Sequence, residues 1–243
     1  MKLRLIGCQV FLRELYLLCA RSPHSVQIQW MPTDLHTNPQ RDLRPALQAQ
    51  IDAIEGEIQA GKCKCDAILL AYGLCSMGTV GVQARSVPVI IPRAHDCITL
   101  LMGSYERYRR LFDERSGGVY WYSPGWIEQF ATPGRGYDEQ AKYMEYVEKF
   151  GEDNAQYLIE IEKGWMQHYS LAALIEWKEL KSDRFDEFTR QIATERNLDY
   201  LRIEGESTLL QKLVDGQWDD DFMRLEPGQR LIYSEDETLM DAE

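Results

Sequence analysis

No stretch of the sequence contains the run of about 18 apolar residues that a membrane-spanning helix requires. The N-terminal stretch, MKLRLIGCQVFLRELYLLCA, is rich in apolar residues, but Arg4, Arg13 and Glu14 interrupt it. We therefore expect a strand and a helix there and no signal peptide. These absences predict a cytoplasmic protein without membrane contact, in which cysteine thiols stay reduced.

Basic residues are scarce relative to acidic ones. The chain has 27 Lys and Arg residues against 39 Asp and Glu residues, which gives a formal net charge of -12 at pH 7. Non-specific nucleic-acid binding depends on Lys and Arg that neutralise phosphates, and the same cations attract anionic lipids. The charge balance therefore argues against a nucleic-acid partner and against docking on an anionic membrane.

The common nucleotide-binding patterns are missing as well. The glycine-rich stretch YGLCSMGTVG matches neither the dinucleotide fingerprint nor the Walker pattern with its lysine. Glycines that follow a strand nevertheless let backbone N–H groups approach an anion or a ligand closely. We expect Tyr72, Gly73 and Gly78 to contact a small-molecule or cofactor ligand, and a plain tight turn is the alternative.

Strand-like and helix-like segments alternate along most of the 243 residues, joined by short connections. This order predicts an α/β fold with a doubly wound, mostly parallel, Rossmann-like sheet. A loop with Gly and Pro at 131–136 predicts a first lobe at 1–130, which carries the reactive residues, and a second α/β lobe at 131–243. Both lobes follow a similar strand–helix order.

The C-terminal region carries two further expectations. The segments 222–225 and 230–233 flank Pro227-Gly228, a typical turn sequence, so we expect them to pair as short strands. The acidic tail that begins at Ser234 is expected to fray.

Four successive predicted strands each lead to a residue type that binds metals: Cys8, His36, Cys75, and His95 with Cys97. Because parallel strands place their C-terminal ends at one edge of the sheet, we expect these side chains to converge there. The alternative is that the cysteines only pack, since free cysteine is among the most buried residue types.

Thiolates and imidazoles are ligands that zinc and iron accept in sets of three or four. We expect a metal site of Cys8, Cys75 and Cys97, with His95 or His36 as the fourth ligand. Zinc is the expected ion, and iron or an iron–sulfur cluster is the alternative.

A single residue separates His95 from Cys97, so in extended backbone only one of the two side chains faces the metal. His95, His36 or Asp96 would then carry protons in catalysis.

Three more side chains are candidates for ligand contact. Arg93 is expected to bind a carboxylate or phosphate bidentately, although it could instead pair with one of the many acidic residues. Tyr122 and Trp126 are expected to wall a pocket for an organic ligand. The alternative for both aromatic residues is packing between the lobes.

The stretches TDLHTNP, YGLCSMGTVG, PVIIPRAHDCITLLMGSYERY and VYWYSPGWIE resemble an uncharacterised bacterial and archaeal family that is catalogued as a domain of unknown function, number 1638. The resemblance covers Leu3–Glu128 clearly and the remainder loosely. It implies that the chain works beside corrinoid-dependent methyl-transfer systems in one-carbon metabolism, with a corrinoid or methyltransferase protein as partner. The site residues it implies are Cys8, His36, Cys75, Arg93, His95 and Cys97.

Three functions stay open at this point. The first is a zinc protein whose site activates a thiol or a water molecule. The second is a carrier without turnover, which holds a metal, an iron–sulfur cluster or a cofactor. The third is a metal-free enzyme with Cys75 or Cys97 as nucleophile, activated by His95 or His36. Whether the protein is an enzyme is therefore undecided by the sequence.

Overall fold

A computed structural model describes residues 1–36, 43–115, 118–129, 139–165, 168–236 and 238–243. Within these ranges, six side chains lie outside the description: Asp34, His36, Glu139, Glu162, Lys163 and Trp165. The chain folds into two units. The first consists of Met1–Tyr108, Trp177–Leu180 and Gly205–Glu243, and the second consists of Arg109–Glu176 and Lys181–Glu204.

Strands and helices follow one another along the described residues in this order: β1 (Lys2–Cys8), α1 (Leu12–Arg21), β2 (Ser25–Met31), α2 (Leu43–Gln59), β3 (Ala67–Ala71), β4 (Val89–Pro92), α3 (Cys97–Met102), α4 (Tyr105–Glu114), β5 (Val119–Tyr122), α5 (Pro124–Gln129), α6 (Glu139–Phe150), α7 (Glu152–Trp165), β6 (Leu171–Glu176), α8 (Asp183–Arg196), β7 (Asp199–Glu204), α9 (Thr208–Val214), β8 (Phe222–Leu225), β9 (Leu231–Tyr233) and β10 (Met240–Ala242).

The main sheet of the first unit has the strand order β2-β1-β3-β4-β8. Its first four strands are parallel, and β8 pairs with β4 in the antiparallel direction. Helix α1 links β1 to β2, and α2 links β2 to β3 in the opposite direction across the sheet. By the rule that such crossovers are right-handed, we expect the two helices on opposite faces. The predicted doubly wound, mostly parallel α/β fold is confirmed.

The central strands of this sheet owe their apolar sequences to burial on both faces. Every residue of β3 and β4 is buried, and parallel strands covered on both sides carry continuous apolar runs instead of alternating ones. Helix α2 presents Leu47, Ile51 and Ile54 on one stripe, and all three are fully buried. This core holds the strand ends in a fixed relation to each other.

The second unit contains a parallel three-stranded sheet with the order β5-β6-β7. One face of this sheet packs on α8 through a core that includes Tyr122, Leu174 and Phe185. The other face buries Val119, Leu171 and Ala173. Among the residues described in both units, no helix is long and apolar enough to cross a membrane.

The boundaries of the two units along the chain differ from the boundary between residues 130 and 131 that the sequence predicts. The boundary falls inside α4, between Tyr108 and Arg109, and the chain from Gly205 onward returns to the first unit. The reason is strand pairing, because β5 pairs with β6 and β8 pairs with β4. The predicted linker at 131–136 lies outside the described residues.

Both expectations for the C-terminal region are wrong. Strand β8 pairs with β4, where it covers an otherwise open sheet edge, and β9 pairs with β10. The acidic tail does not fray over its last residues, because β10 is a paired strand and the Met240 side chain is 1% exposed.

A buried ion pair joins the two last strands of the second unit. The carboxylate of Glu176, at the end of β6, accepts a hydrogen bond from Arg202 Nε at 2.8 Å, and its side chain is 2% exposed. Arg202 also lies 3.4 Å from Asp186 on α8, and Asp186 accepts a hydrogen bond from the Tyr200 hydroxyl. Arg202 therefore compensates buried negative charge and ties α8 to the sheet.

We expect Arg202→Met to lower the free energy of unfolding by about 3 kcal/mol, because it leaves Glu176 buried without a cation. Arg190→Met is the matched control, since the Arg190 side chain is 59% exposed in its ion pair with Asp186. The control should lose about 1 kcal/mol or less. Urea titration followed by circular dichroism measures both variants, and equal losses would contradict the prediction.

Candidate functional site

The strand order of the first sheet reverses between β1 and β3. From β1 the chain moves to β2 on one side, and from β3 it moves to β4 on the other side. In open parallel sheets, ligands bind beyond the carboxyl ends of the strands at such a switch point. The ligand crevice of this unit is therefore expected where β1 ends at Cys8 and β3 ends at Ala71.

Three cysteines, which we call the thiol cluster, come together at this switch point. Cys8 is the last residue of β1, Cys75 follows the end of β3, and Cys97 is the first residue of α3. The charges of Cys8 and Cys75 both contribute to the raised pKa of Cys97, and Cys8 contributes to that of Cys75. The three cysteines named as ligands from the sequence are thus near enough for each ionised thiol to affect the ionisation of the others.

Burial is the largest cause of the raised pKa values in the thiol cluster. It raises the pKa of Cys8 to about 11, that of Cys75 to about 12, and that of Cys97 well above its ordinary value. Cys75 and Cys97 nevertheless keep some accessible surface. Solvent therefore reaches two of the three thiols at the carboxyl ends of β1 and β3, a place that we call the recess. Without a nearby cation, the thiols are protonated at neutral pH.

Tyr72 belongs to the same recess. Its side chain is 1% exposed, and its interaction with Cys8 lowers the pKa of Cys8, in opposition to the larger effect of burial. Burial and then the charges of Cys8, Cys75 and Cys97 raise the pKa of Tyr72 well above its ordinary value. The phenol therefore stays a hydrogen-bond donor at any pH near neutrality.

The turn after β3 has a strained backbone. Cys75, Ser76 and Met77 have φ angles of 46°, 55° and 67°, so three consecutive non-glycine residues are left-handed. This conformation costs about 1–2 kcal/mol per residue. Single strained residues of this kind concentrate at functional sites. The turn separates Cys75, which joins the thiol cluster, from the exposed side chains of Ser76 and Met77.

The loops that follow β3 and β4 hold each other in place. The Leu74 N–H donates to the Ala94 carbonyl, and the Cys75 N–H donates to the His95 carbonyl, both at 2.8 Å. A Cβ on Gly73 would lie 2.5 Å from the Ala94 oxygen, so glycine is required for this approach. The role of Gly73 in the structure is therefore the close packing of the two loops.

Two residues inside the β3 loop support the strained turn. The buried hydroxyl of Thr79 donates to the Gly73 carbonyl at 3.1 Å. The Gly78 N–H donates to the Cys75 carbonyl at 3.1 Å, and a Cβ on Gly78 would lie 2.9 Å from the Leu43 side chain. These contacts stabilise a turn that three left-handed residues would otherwise destabilise.

Asp96 caps the helix that carries Cys97. Its carboxylate accepts hydrogen bonds from the Thr99 N–H at 2.9 Å and from the Thr99 hydroxyl at 3.1 Å, as an N-cap residue does. Its charge also raises the pKa values of Cys75 and Cys97. Asp96 thus positions Cys97 and adds negative charge to the recess, while its role in proton transfer stays a prediction.

Two tyrosines of α4 that the sequence reasoning missed lie beside the site. The Tyr105 ring lies 5.2 Å from the His95 ring. Burial raises the pKa of Tyr108 to about 12, and Asp96, Tyr105 and Cys97 contribute to the shift. The motif YERY was the available signal, because residues three apart share one helix face.

The guanidinium group of Arg93 contacts the C-terminal segment of the chain. Its guanidinium donates to the carbonyl oxygens of Thr238 and Met240 and contacts the Met223 sulfur at 3.4 Å. Its backbone N–H donates to the Asp221 carbonyl at 2.8 Å. These contacts favour a structural role for Arg93, which anchors β8 and β10 beside the loop that carries His95.

Of the remaining predicted residues, one has no described side chain and two belong to the second unit. The side chain of His36 is not among the described residues. Tyr122 and Trp126 belong to the second unit, where Tyr122 is fully buried in the core and Trp126 packs against that core. Packing is therefore the role that the structure supports for these two aromatic residues.

The donor chemistry of the thiol cluster fits a thiophilic metal, since thiolates are preferred ligands of zinc and of iron–sulfur clusters. The arrangement is not that of a ready site, because no group of three or more His, Cys, Asp or Glu side chains in the described part of the chain is placed to hold a metal ion. Binding would therefore require the thiols to lose protons and approach each other.

Fold and site together define a Rossmann-like α/β protein with a cysteine-lined recess at its switch point. The family model "Protein of unknown function (DUF1638)" matches residues 30–214, and the chain belongs to this family. The resemblance read from the motifs is thereby confirmed. Cys75, His95 and Cys97 lie inside the matched range and Cys8 lies outside it. No curated protein and no solved structure matches the chain.

We expect Gly73→Ala to lower the free energy of unfolding by about 1–3 kcal/mol, because the added methyl group collides with backbone atoms that cannot rotate away. The matched control is Gly56→Ala in α2, where an added Cβ meets nothing within 4 Å. The control should gain about 0.5–1 kcal/mol, since alanine favours a helix. Thermal unfolding of both variants measures the difference, and a neutral Gly73→Ala would contradict the described packing.

In protein stripped of metal by a chelator, we expect Cys75 to react slowly with iodoacetamide at pH 7. A pKa of about 12 instead of 9.0 leaves a thiolate fraction about a thousandfold smaller than that of an ordinary thiol. The rate should therefore keep rising above pH 10. Peptide mass spectrometry at several pH values measures it, and a rate at pH 7 equal to that of free cysteine would instead indicate an activated nucleophile.

Proposed function

We propose that the protein binds a metal ion, with zinc as the first candidate, through Cys8, Cys75 and Cys97. What supports the proposal is that these three cysteines stand at the end of β1, after β3 and at the start of α3, beside the switch point of the sheet, where each affects the ionisation of the others. A parallel sheet presents ligands at this place, and three thiols are a donor set that zinc accepts.

The electrostatics of the recess support a cation as its ligand. Each cysteine that ionised would disfavour ionisation of the others, and Asp96 adds to this effect. A divalent ion reverses the balance, because it stabilises thiolates and replaces their protons. The same balance disfavours the metal-free cysteine nucleophile, which requires a lowered pKa.

Three protein thiolates leave one coordination position for His95, His36, water or a substrate, and an open position is typical of catalytic zinc sites. A bound zinc ion would supply Lewis acidity and a thiolate that accepts methyl groups. In this proposal His95, His36 and Asp96 carry protons, and Tyr72 interacts with Cys8, whose pKa it lowers. The aromatic rings of Tyr105 and Tyr108 would restrict access by water.

The cellular context of the proposal follows from the family resemblance. If the protein acts beside a corrinoid-dependent methyl-transfer system, that system would provide a methyl donor or acceptor for a zinc-bound thiolate. The reaction and its substrate would then belong to one-carbon metabolism. A cytoplasmic location is part of this proposal, because the site needs reduced thiols.

A carrier without turnover is the second candidate. The observation that favours it is the donor set of the thiol cluster, which consists only of cysteines, the usual ligands of iron–sulfur clusters. In that case the recess would hold a cluster or cofactor for a partner protein.

Elemental analysis of protein purified anaerobically, without added metal, tests the proposal. We expect about one zinc ion per chain in the wild-type protein and less than about a tenth of that in Cys75→Ser and Cys97→Ser. Cys19→Ser is the matched control and should keep its zinc, because Cys19 lies on α1, outside the cluster.

Three outcomes would count against zinc. Wild-type protein without metal, or Cys75→Ser with unchanged metal, would contradict metal binding at this site. Brown protein with visible absorption and stoichiometric iron would favour the iron–sulfur carrier.

A further inference from the structure

The main sheet of the first unit has an edge strand at each end of its strand order. At one end β8 pairs with β4, and at the other end β2 has β1 as its only neighbour among the described strands. An edge strand presents a row of backbone N–H and C=O groups that can pair with another chain. Strand β2 is therefore a place where the sheet could continue into a second molecule.

Strand β2 lacks the features by which proteins usually protect such an edge. Its seven residues, SVQIQWM, include no charged residue and no proline. Its register with β1 runs from Ser25 to Met31 without a bulge. Charged side chains, prolines and bulges are the common means of keeping edge strands from pairing. Their absence from β2, in a chain with 27% charged residues, favours a strand that pairs on its open side.

The backbone groups on the open side of β2 belong to alternate residues. The Ser25 N–H donates to the Met1 carbonyl at 3.1 Å, which directs the backbone groups of Ser25 toward β1. Because these groups alternate in direction along a strand, those of Val26, Ile28 and Trp30 point away from β1. Ile28 is the middle residue of the strand, so the outward groups are arranged evenly about it.

We propose that β2 pairs with β2 of a second copy of this chain, antiparallel about a twofold axis at Ile28, so that one sheet runs through a homodimer. In this register Ile28 lies opposite its own copy, and Val26 lies opposite Trp30 of the second copy. Each pair exchanges two backbone hydrogen bonds, because these residues carry the outward groups. A twofold axis requires a self-complementary surface, and a strand that pairs about its own middle residue provides one.

The side chains on the α1 face of the sheet fit this register. The Trp30 indole N–H donates to the Tyr16 hydroxyl at 3.1 Å, and Tyr16 on α1 is 54% exposed. Val26 of the second copy would lie opposite Trp30, and an aromatic residue beside a β-branched residue is a favourable cross-strand pair. Aromatic residues are also enriched in protein interfaces. The dimer would therefore bury aromatic surface that the single chain exposes.

Two glutamines meet on the other face. Gln27 is exposed, and the Gln29 side-chain oxygen is buried without a hydrogen-bond partner in the described part of the chain. In the proposed register Gln27 lies opposite Gln29 of the second copy as a non-hydrogen-bonded pair, in which side chains are closest. The Gln27 amide can then donate to this oxygen. A polar atom that lacks a partner in the single chain gains one from the same strand of the second copy, which favours a second copy over an unrelated protein.

Sedimentation equilibrium of the full chain tests the proposal. The wild-type protein should have twice the 28.3 kDa mass of one chain. Ile28→Lys places two like charges opposite each other at the twofold axis and should raise the dissociation constant of the dimer about a hundredfold or more. Ile161→Lys is the matched control, because Ile161 lies on α7 and is 49% exposed, and this variant should remain a dimer.

Cysteine cross-linking tests the register and does not depend on how Ile28→Lys folds. A chain with both Gln27→Cys and Gln29→Cys, oxidised with diamide, should form an interchain disulfide between positions 27 and 29, because the two side chains are close across the interface. Peptide mass spectrometry locates this disulfide among the native cysteines. Gln27→Cys alone should not cross-link to position 27 of the second copy, since position 27 lies opposite position 29.

Four results would overturn the proposal. They are a monomeric wild-type protein, which would leave β2 to a different partner, a folded Ile28→Lys variant that remains a dimer, a double variant without the disulfide between positions 27 and 29, and a disulfide between two copies of position 27. None of these results bears on zinc content, so failure here and failure of the proposed metal site are distinguishable.

Discussion

The backbone pairing between the loops after β3 and β4 is the contact on which the candidate site depends. Hydrogen bonds from Leu74 to Ala94 and from Cys75 to His95 bring two loops side by side, and only glycine at position 73 leaves room for them. Without this pairing, Cys75 and Cys97 would belong to independent loops. Because the two loops are paired, Cys75 and Cys97 lie in neighbouring loops at the carboxyl end of the sheet, where β1 ends at Cys8.

The recess combines features that are unfavourable by themselves. Three residues of its turn are left-handed, and three thiols lie where burial disfavours the thiolate form, beside the charge of Asp96. The double-sided burial of β3 and β4 and the hydrogen bonds of Thr79 stabilise this arrangement. A bound cation would stabilise the thiolate forms of the cysteines, which burial and the charge of Asp96 otherwise disfavour. The physical argument for metal binding therefore rests on charge as much as on donor type.

Much of the fold could be predicted from local pattern, and the errors have a common cause. The continuous apolar run of β3 and the helical stripe of Leu47, Ile51 and Ile54 identified their elements, because burial imposes these periods directly. The pairing of β8 with β4 could not be predicted, since Phe222–Leu225 has the same local pattern whichever strand it joins. The nearby turn sequence Pro227-Gly228 predicted that β8 and β9 would form a hairpin. Strand β8 instead pairs with the open edge of β4.

The sequence by itself determined the α/β class, the family and the cysteines that follow the strands, because strand ends and their neighbours are local properties of the chain. Only the tertiary structure decided that Arg93 binds the carbonyl oxygens of Thr238 and Met240, that the Tyr105 ring lies beside the His95 ring, and that Tyr122 lies in another unit. These facts depend on strand order and on loop packing between distant residues. Such contacts are selected by the free energy of the whole fold and leave no periodic signal in the sequence.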